Sequence, residues 1–431
     1  MITRELFSSR FATILTMVGV AVGLGNVWRF PYMMGQYGGS AFLIVYLVFV
    51  LVFAIPAITA EWSLGRYTRH GPIGAMEHAF GPHGRWIGYL LVLTVLIANS
   101  YYVVIVGNVA FSATFGLFTG FTPESIPLYA ARLGNGPLQA VVALLMIGAT
   151  IWIIHRGIVQ GIERISRLFV PLFGVMIITL IFMALNLPGA VTHLKAFLQP
   201  DFSQLTATSI FAALGQAFFS LSLGGTFYLI YGSYLRDDEN IPKTAIATGI
   251  GDASAALLAS LFIVPTVLAL GLNMQAGPSL IFETLPRMFS EIPAGRVIGV
   301  AFLVGLWMMA FLSTVAAFQV VVAALTDSFK FSLTKAALVV GGVQAVLMLP
   351  SALNPGIIGT LDLIFGSGMQ MLGSGLTIIA LLWGCDKAIA ATQIFAGRTD
   401  GFRRIYLLWI KWAVPATLGV MLILYIADSL G

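Results

Sequence analysis

The sequence predicts an all-α polytopic membrane protein with 11 transmembrane helices, built as two successive groups of five plus one, with helices 1 and 6 unwound mid-membrane. Three observations carry this reading. Hydrophobic residues make up 59% of the 431 and charged residues only 9%, where a soluble domain carries about a quarter charged. Apolar runs near or above about 18 residues recur along the whole chain. Two of those runs, the first member of each group of five, are interrupted by glycines and polar side chains.

The apolar segments run approximately over 11–36, 41–64, 86–118, 139–155, 165–186, 207–235, 243–272, 295–326, 335–350, 356–384 and 405–428. The first begins by Phe11, is too long for a signal-peptide core and lacks a convincing cleavage site, so it reads as span 1. Segments 8 and 10 are long enough to tilt strongly or to extend past the bilayer. The length leaves room for one large bundle and no soluble domain of normal size, so 1–431 is read as one domain. Its expected inverted repeats are approximately 11–186 and 207–384, with an additional helix at 405–428.

Loop charge tests that count. With the N-terminus in the cytoplasm, sixteen of the 22 Lys and Arg residues fall on the inner side. Four, Arg132, Lys195, Arg287 and Arg296, fall on the outer side. A missed span would scramble this asymmetry, which follows the positive-inside rule. The expected location is therefore the cell (inner) membrane, multi-pass, with the bilayer as partner. The basic excess reads as topology, so no nucleic-acid partner is expected. The lone Cys385 excludes an intrachain disulfide. No Ser-His pair, His-x-x-x-His motif or Gly-x-Ser-x-Gly elbow falls within a span, which argues against an intramembrane enzyme.

The interrupted segments are the informative ones. "VGVAVGLGNVWRFPY", 18–32, carries Gly19, Gly23 and Gly25, then Asn26 and Arg29. Gly19-x-x-x-Gly23 is also a small-residue packing motif. Packing does not explain an amide and a guanidinium within the same seven residues. "FFSLSLGGTF", 218–227, places Ser220, Ser222, Gly224, Gly225 and Thr226 mid-way through segment 6. Backbone unwound at membrane depth persists only where protein, water or ions satisfy it. Glycine-interrupted spans at matching positions of two halves point to a transporter binding site. There, half-helix N-termini suit a carboxylate, and freed carbonyls and hydroxyls suit a small hard cation. Two acids also lie within spans: Glu61, expected to brace the unwound part of segment 1 with a proton carrier as the alternative, and Asp252, whose natural partner is a cation unless it stays neutral and protonated.

With these residues in view, the chain resembles the neurotransmitter:sodium symporter family. "GVAVGLGNVWRFPY" matches the family's most specific signature. Further matches are "GGSAFLIVY", "EWSLGRY", "YY" at 101–102, "RGIVQGIER", "GQAFFSLSLG", "YGSYL" and "GCDKA". Together they cover nearly the whole chain. Eleven spans look like the family's bacterial branch. The resemblance implies a LeuT-type 5+5 inverted-repeat bundle and alternating access. It also implies sodium, one or two ions, as the coupling ion, a small amino acid as substrate, and no organic cofactor.

The resemblance also implies roles for residues. The first sodium site would take the carbonyls of Ala21 and Ser220, the Asn26 amide oxygen, the Ser220 hydroxyl and the substrate carboxylate, with Asp252 nearby. The second would take the carbonyls of Gly19 and Val22 and groups of segment 8 among Met309, Ala310, Ser313 and Thr314. The substrate pocket would draw on Ala21, Gly23, Gly25, Ala98, Tyr102, Phe219, Ser220, Ser222, Gly225 and Phe318, with Tyr102 and Phe219 as an aromatic lid. Arg29 would pair with Asp362 as the outer gate. Arg4 would pair with Asp327 near Tyr234 as the inner gate.

Three departures stand out. Leu312 falls where the family usually shows a first hydroxyl of segment 8, leaving Ser313, and Thr314 only if the helix slips by one residue. Segment 7 offers Asp252 near the place of a ligand asparagine, either as a direct sodium ligand or as the fixed negative charge that replaces chloride. Gly225 replaces a bulky residue, which implies a roomier pocket unless Phe227 folds into the space. The expected function is sodium-coupled import of a small neutral, hydrophobic or aromatic amino acid. A proton-coupled or single-sodium relative, or a non-transporting amino-acid sensor, are the alternatives.

Overall fold

A computed structural model describes residues 5–271, 280–395 and 402–430, and every regular element among them is helical. Among the described residues, nine helices are long and apolar enough to cross a membrane: Gly39–Thr68, Pro72–Phe118, Gly136–His155, Ile158–Leu185, Ile241–Ala269, Gly295–Phe329, Leu333–Leu353, Pro355–Gly384 and Arg403–Leu424. They are spans 2–5 and 7–11. Span 1 is a bent pair, Arg10–Ala21 and Gly25–Gln36, with 57° between its halves. Span 6 is Ala207–Ser220 followed, after six non-helical residues, by Phe227–Gly232. The eleven segments read from hydropathy thus each find a helix or a helix pair.

Spans 3 and 8 pack along each other and form the centre of a scaffold with spans 4 and 5, while span 2 lies along both halves of span 6 and span 7 lies against spans 1 and 2. Spans 4 and 5 are peripheral. Leu145, Trp152, Leu168, Val175 and Phe182 are exposed on them, as expected of side chains that meet lipid.

The inner end of span 1 is anchored by the segment before it. Phe7 is buried between the rings of Tyr231 and Tyr234, and its N–H donates to the Tyr234 carbonyl at 3.1 Å. Glu5 accepts the N–H groups of Ile158 (2.7 Å) and Val159 (3.1 Å) at the start of span 5, where the helix dipole favours a carboxylate. Ser8 donates its N–H (3.0 Å) and hydroxyl (2.5 Å) to the buried Glu163.

Candidate functional site

The two breaks release the carbonyls that a cation needs. In span 1 the N–H of Gly23, which an unbroken helix would direct to Gly19, donates instead to Asn26 Oδ1 at 3.1 Å. The N–H of Asn26, which would serve Val22, donates to the Gly23 carbonyl at 3.2 Å. In span 6 the Leu223 N–H closes on the Phe218 carbonyl and the Ser222 N–H on the Phe219 carbonyl, with Ser222 left-handed at φ 52. This is the pattern that ends a helix when the chain turns left-handed. The N–H of Gly224, which would serve the Ser220 carbonyl, donates to Glu61 Oε1 at 3.0 Å. Glu61 therefore braces the unwound part of span 6, not of span 1 as expected. The reason is register: span 2 runs beside both halves of span 6, which brings Glu61 to the second break.

Between the breaks sits a polar cluster, fully buried. Asn26 Nδ2 donates to Ser220 Oγ (2.8 Å), to Asp252 Oδ1 (2.6 Å) and to the Asp252 carbonyl (3.0 Å). Ser220 Oγ donates to Asp252 Oδ2 at 2.8 Å. Three helices, spans 1, 6 and 7, thus meet at one carboxylate. The Tyr46 hydroxyl faces the same Ser220 and Asp252. Gln216 Nε2 donates to the Gly25 carbonyl at 3.0 Å. Neither Tyr46 nor Gln216 was singled out from sequence. The available signals were a hydroxyl inside the apolar run "FLIVYLVFV" and an amide one turn before Ser220, on the same helix face.

Beside the cluster is a cavity of about 90 Å³. Of the expected pocket residues, Ala21, Gly23, Gly25, Ala98, Tyr102, Phe219, Ser220 and Ser222 line it. Gly225 and Phe318 do not. The ring of Phe227 lies 2.2 Å from where a Cβ on Gly225 would stand, so Phe227 forms the wall and Gly225 is the gap it fills. On span 8, Ala317 faces the cavity while Phe318, one residue and about 100° further round the helix, is buried elsewhere in the core. At Gly23 a Cβ would stand 3.1 Å from Ser313 Oγ and 3.2 Å from the Tyr102 hydroxyl, so glycine lets these two groups reach the break.

On span 8 the structure separates the hydroxyls. Ser313 Oγ donates to the Val20 carbonyl at 3.0 Å. Thr314 Oγ1 donates to the Ala310 carbonyl of its own helix at 3.4 Å. Leu312 Cδ1 stands 2.8 Å from the position of a Cβ on Gly19. Met309 and Ala310 are buried.

The gates differ in part from expectation. Arg29 and Asp362 form no direct ion pair in this conformation. The Arg29 guanidinium stacks over the Phe219 ring, 4.1 Å from its centroid, and Asp362 accepts the Tyr101 hydroxyl at 3.0 Å. The cation rests on an aromatic face and the anion on a phenol, while the buried Arg29 Nη1 has no hydrogen-bond partner among the described residues. Phe219, Gly366 and Gln370 line both the small cavity and a larger one of about 420 Å³ that continues past Arg29. Phe219 therefore stands between them. At the inner end, Asp327 Oδ2 accepts the Gly71 N–H at 2.7 Å and Tyr234 accepts from Gln319 Nε2 at 2.9 Å. Arg4, its expected partner, lies outside the described residues.

The profile of the sodium:neurotransmitter symporter family matches residues 4–127 and 131–424. The chain belongs to this family. It is a sodium-coupled symporter, an integral multi-pass membrane protein of the LeuT fold and not an enzyme. An uncharacterized sodium-dependent transporter of Haemophilus influenzae is 29% identical over 99% of this chain and 98% of the relative. Another, of Bacillus subtilis, is 30% identical over 92% of this chain and 90% of the relative. The crystal structure of MhsT in complex with L-phenylalanine superposes with a TM-score of 0.88, at 32% identity, over 98% of this chain and 99% of that one.

Proposed function

We propose that this symporter takes up a neutral, hydrophobic or aromatic amino acid with sodium by alternating access, in the inner membrane with its N-terminus in the cytoplasm. The observation that carries the substrate class is the cavity wall: Val95, Ala98, Phe219 and Phe227 are apolar, beside the Tyr102, Ser220 and Ser313 hydroxyls. The substrate's carboxylate sits by the Tyr102 hydroxyl and the start of the second half of span 1. The first sodium ion takes the carbonyls of Ala21 and Ser220 with Asn26 and Ser220, balanced by Asp252. The likeness to MhsT bound to L-phenylalanine supports the same class.

The substrate's own carboxylate completes the ion site, so neither solute binds well without the other. Phe219 closes the lid, and Arg29 and Asp362 close above it. Phe7, Glu5 and Ser8 then release the inner end of span 1, which lets the cargo leave. Spans 1, 2, 6 and 7 are the moving bundle and spans 3, 4, 5 and 8 the scaffold, so each repeat contributes to both.

The test is a thermal-shift screen of the twenty amino acids in sodium and in potassium. Binding to the folded state alone stabilises it by about 2.7 kcal/mol at one hundred times Kd. Stabilisation by phenylalanine, leucine or a similar side chain in sodium only is the expected result. Stabilisation by charged amino acids, or equally in potassium, overturns it.

A single-sodium reading has its own support in Leu312, whose methyl group stands beside Gly19, and in Thr314, which is bonded within its own helix. Leu312→Thr is expected to raise the Hill coefficient for sodium from near one towards two in uptake assays. Identical sodium curves for the two proteins remove this reading. Phe227 sets pocket length: Phe227→Ala opens the space beside Gly225 and is expected to lower KM for tryptophan relative to leucine by about tenfold, the scale of one or two methylenes in an apolar pocket.

A further inference from the structure

We propose a binding site for an anionic phospholipid in the crevice between spans 4 and 5. Span 4 ends at His155 and Arg156, and Gly157, at φ 78, turns the chain into the π-helical start of span 5, Ile158–Glu163. The spans touch there at backbone level, since a Cβ on Gly161 would lie 2.2 Å from the Ile153 carbonyl. Around this contact opens a cavity of about 280 Å³ walled by Trp152, Ile153, Ile165 and Leu168, with Arg156 and Arg164 also on it.

Three features fit a lipid with a charged phosphodiester. The crevice lies on the lipid-facing side of the bundle: Trp152 is 57% and Leu168 62% exposed. Its level is the membrane–water boundary, where the apolar run of span 4 meets a loop and where tryptophan settles. Its two guanidinium groups are free to take an anion. Arg156 stacks on the Trp152 ring at 3.8 Å and forms no ion pair among the described residues, and neither does Arg164. The neighbouring charges are committed: Glu163 to Ser8 and Arg167, and Glu5 to the N–H groups of span 5. Arginine forks match phosphate oxygens, and basic pockets between spans select anionic headgroups. One acyl chain lies along Leu168 and Ile165, and the phosphate meets Arg156 and Arg164. The proposed orientation places the site in the inner leaflet.

Native mass spectrometry of the full chain tests this without any transport measurement, so its failure is separable from failure of the proposed function. The protein is titrated in turn with phosphatidylglycerol, with phosphatidylcholine of the same acyl chains and with inorganic phosphate. Phosphatidylglycerol is expected to bind wild type about twenty-five-fold more tightly than the Arg156→Gln/Arg164→Gln double variant, about fivefold per arginine. Phosphatidylcholine is expected to bind both weakly and alike, and phosphate neither. Equal phosphatidylglycerol affinity in the two proteins overturns the site, as does phosphatidylcholine binding as tight as phosphatidylglycerol on wild type. Phosphate that competes at equal affinity makes it an anion site and overturns the lipid. Should the double variant fail to fold, Arg164→Gln alone carries the fivefold test. Trp152→Ala, which keeps both charges and removes the wall, is expected to weaken phosphatidylglycerol as well.

Discussion

Asn26→Ala is expected to abolish sodium-stimulated uptake. The amide is the junction of three helices: it accepts from Gly23 in span 1 and donates to Ser220 in span 6 and Asp252 in span 7. Removing it leaves the buried Asp252 carboxylate with one partner fewer and frees the Gly23 N–H to close the helix again. A buried polar group stripped of a partner costs about 1–3 kcal/mol. At the ion site this is about a tenfold to hundredfold loss of sodium affinity. Uptake of radiolabelled substrate into proteoliposomes, with and without a sodium gradient, reads the effect. Melting temperature without ligand separates it from misfolding. Unchanged sodium dependence would move the first ion site away from the break in span 1.

The second large effect is at Gly224. Its φ of 81 is left-handed, which costs a residue with a Cβ about 1–2 kcal/mol. More decisive is space: a Cβ would stand 1.6 Å from the Gln370 carbonyl and 2.6 Å from the Ser374 N–H nitrogen of span 10. Both obstacles are backbone, so no side-chain rotation relieves them, and span 10 would have to move. The same shift would pull the Gly224 N–H from Glu61 and let it return to the Ser220 carbonyl. Gly224→Ala is therefore expected to lose either the monodisperse peak on size exclusion or substrate binding by thermal shift. Gly225→Ala is a poor substitute for this test, because there the obstacle is only the Phe227 ring. A monodisperse Gly224→Ala protein with full uptake would mean that spans 6 and 10 are not packed at this contact.

Much of this was legible in one dimension. Hydropathy placed every span, because a helix in lipid must be apolar for the length of the bilayer whatever its neighbours are. Glycine and polar residues placed both breaks, because the chain unwinds only where local cost is low and partners exist. Asn26, Ser220 and Asp252 could be nominated for the same reason: polar groups in hydrocarbon need a purpose. The family motifs added which carbonyls and which tyrosine to inspect.

What the tertiary structure decided is which way each side chain faces and which helix it meets. Glu61 reached span 6 instead of span 1. Phe227 filled the space beside Gly225, Ala317 displaced Phe318 from the cavity, Thr314 turned back on its own helix, and Arg29 chose the Phe219 ring over Asp362. Each outcome depends on a helix rotation of about 100° per residue or on the crossing of two helices far apart in sequence. Composition and periodicity fix that a helix spans the membrane, but not its rotation or its partner. Those are set by packing among all eleven spans at once, and so the positions of the breaks belonged to the sequence while the shape of the site between them belonged to the fold.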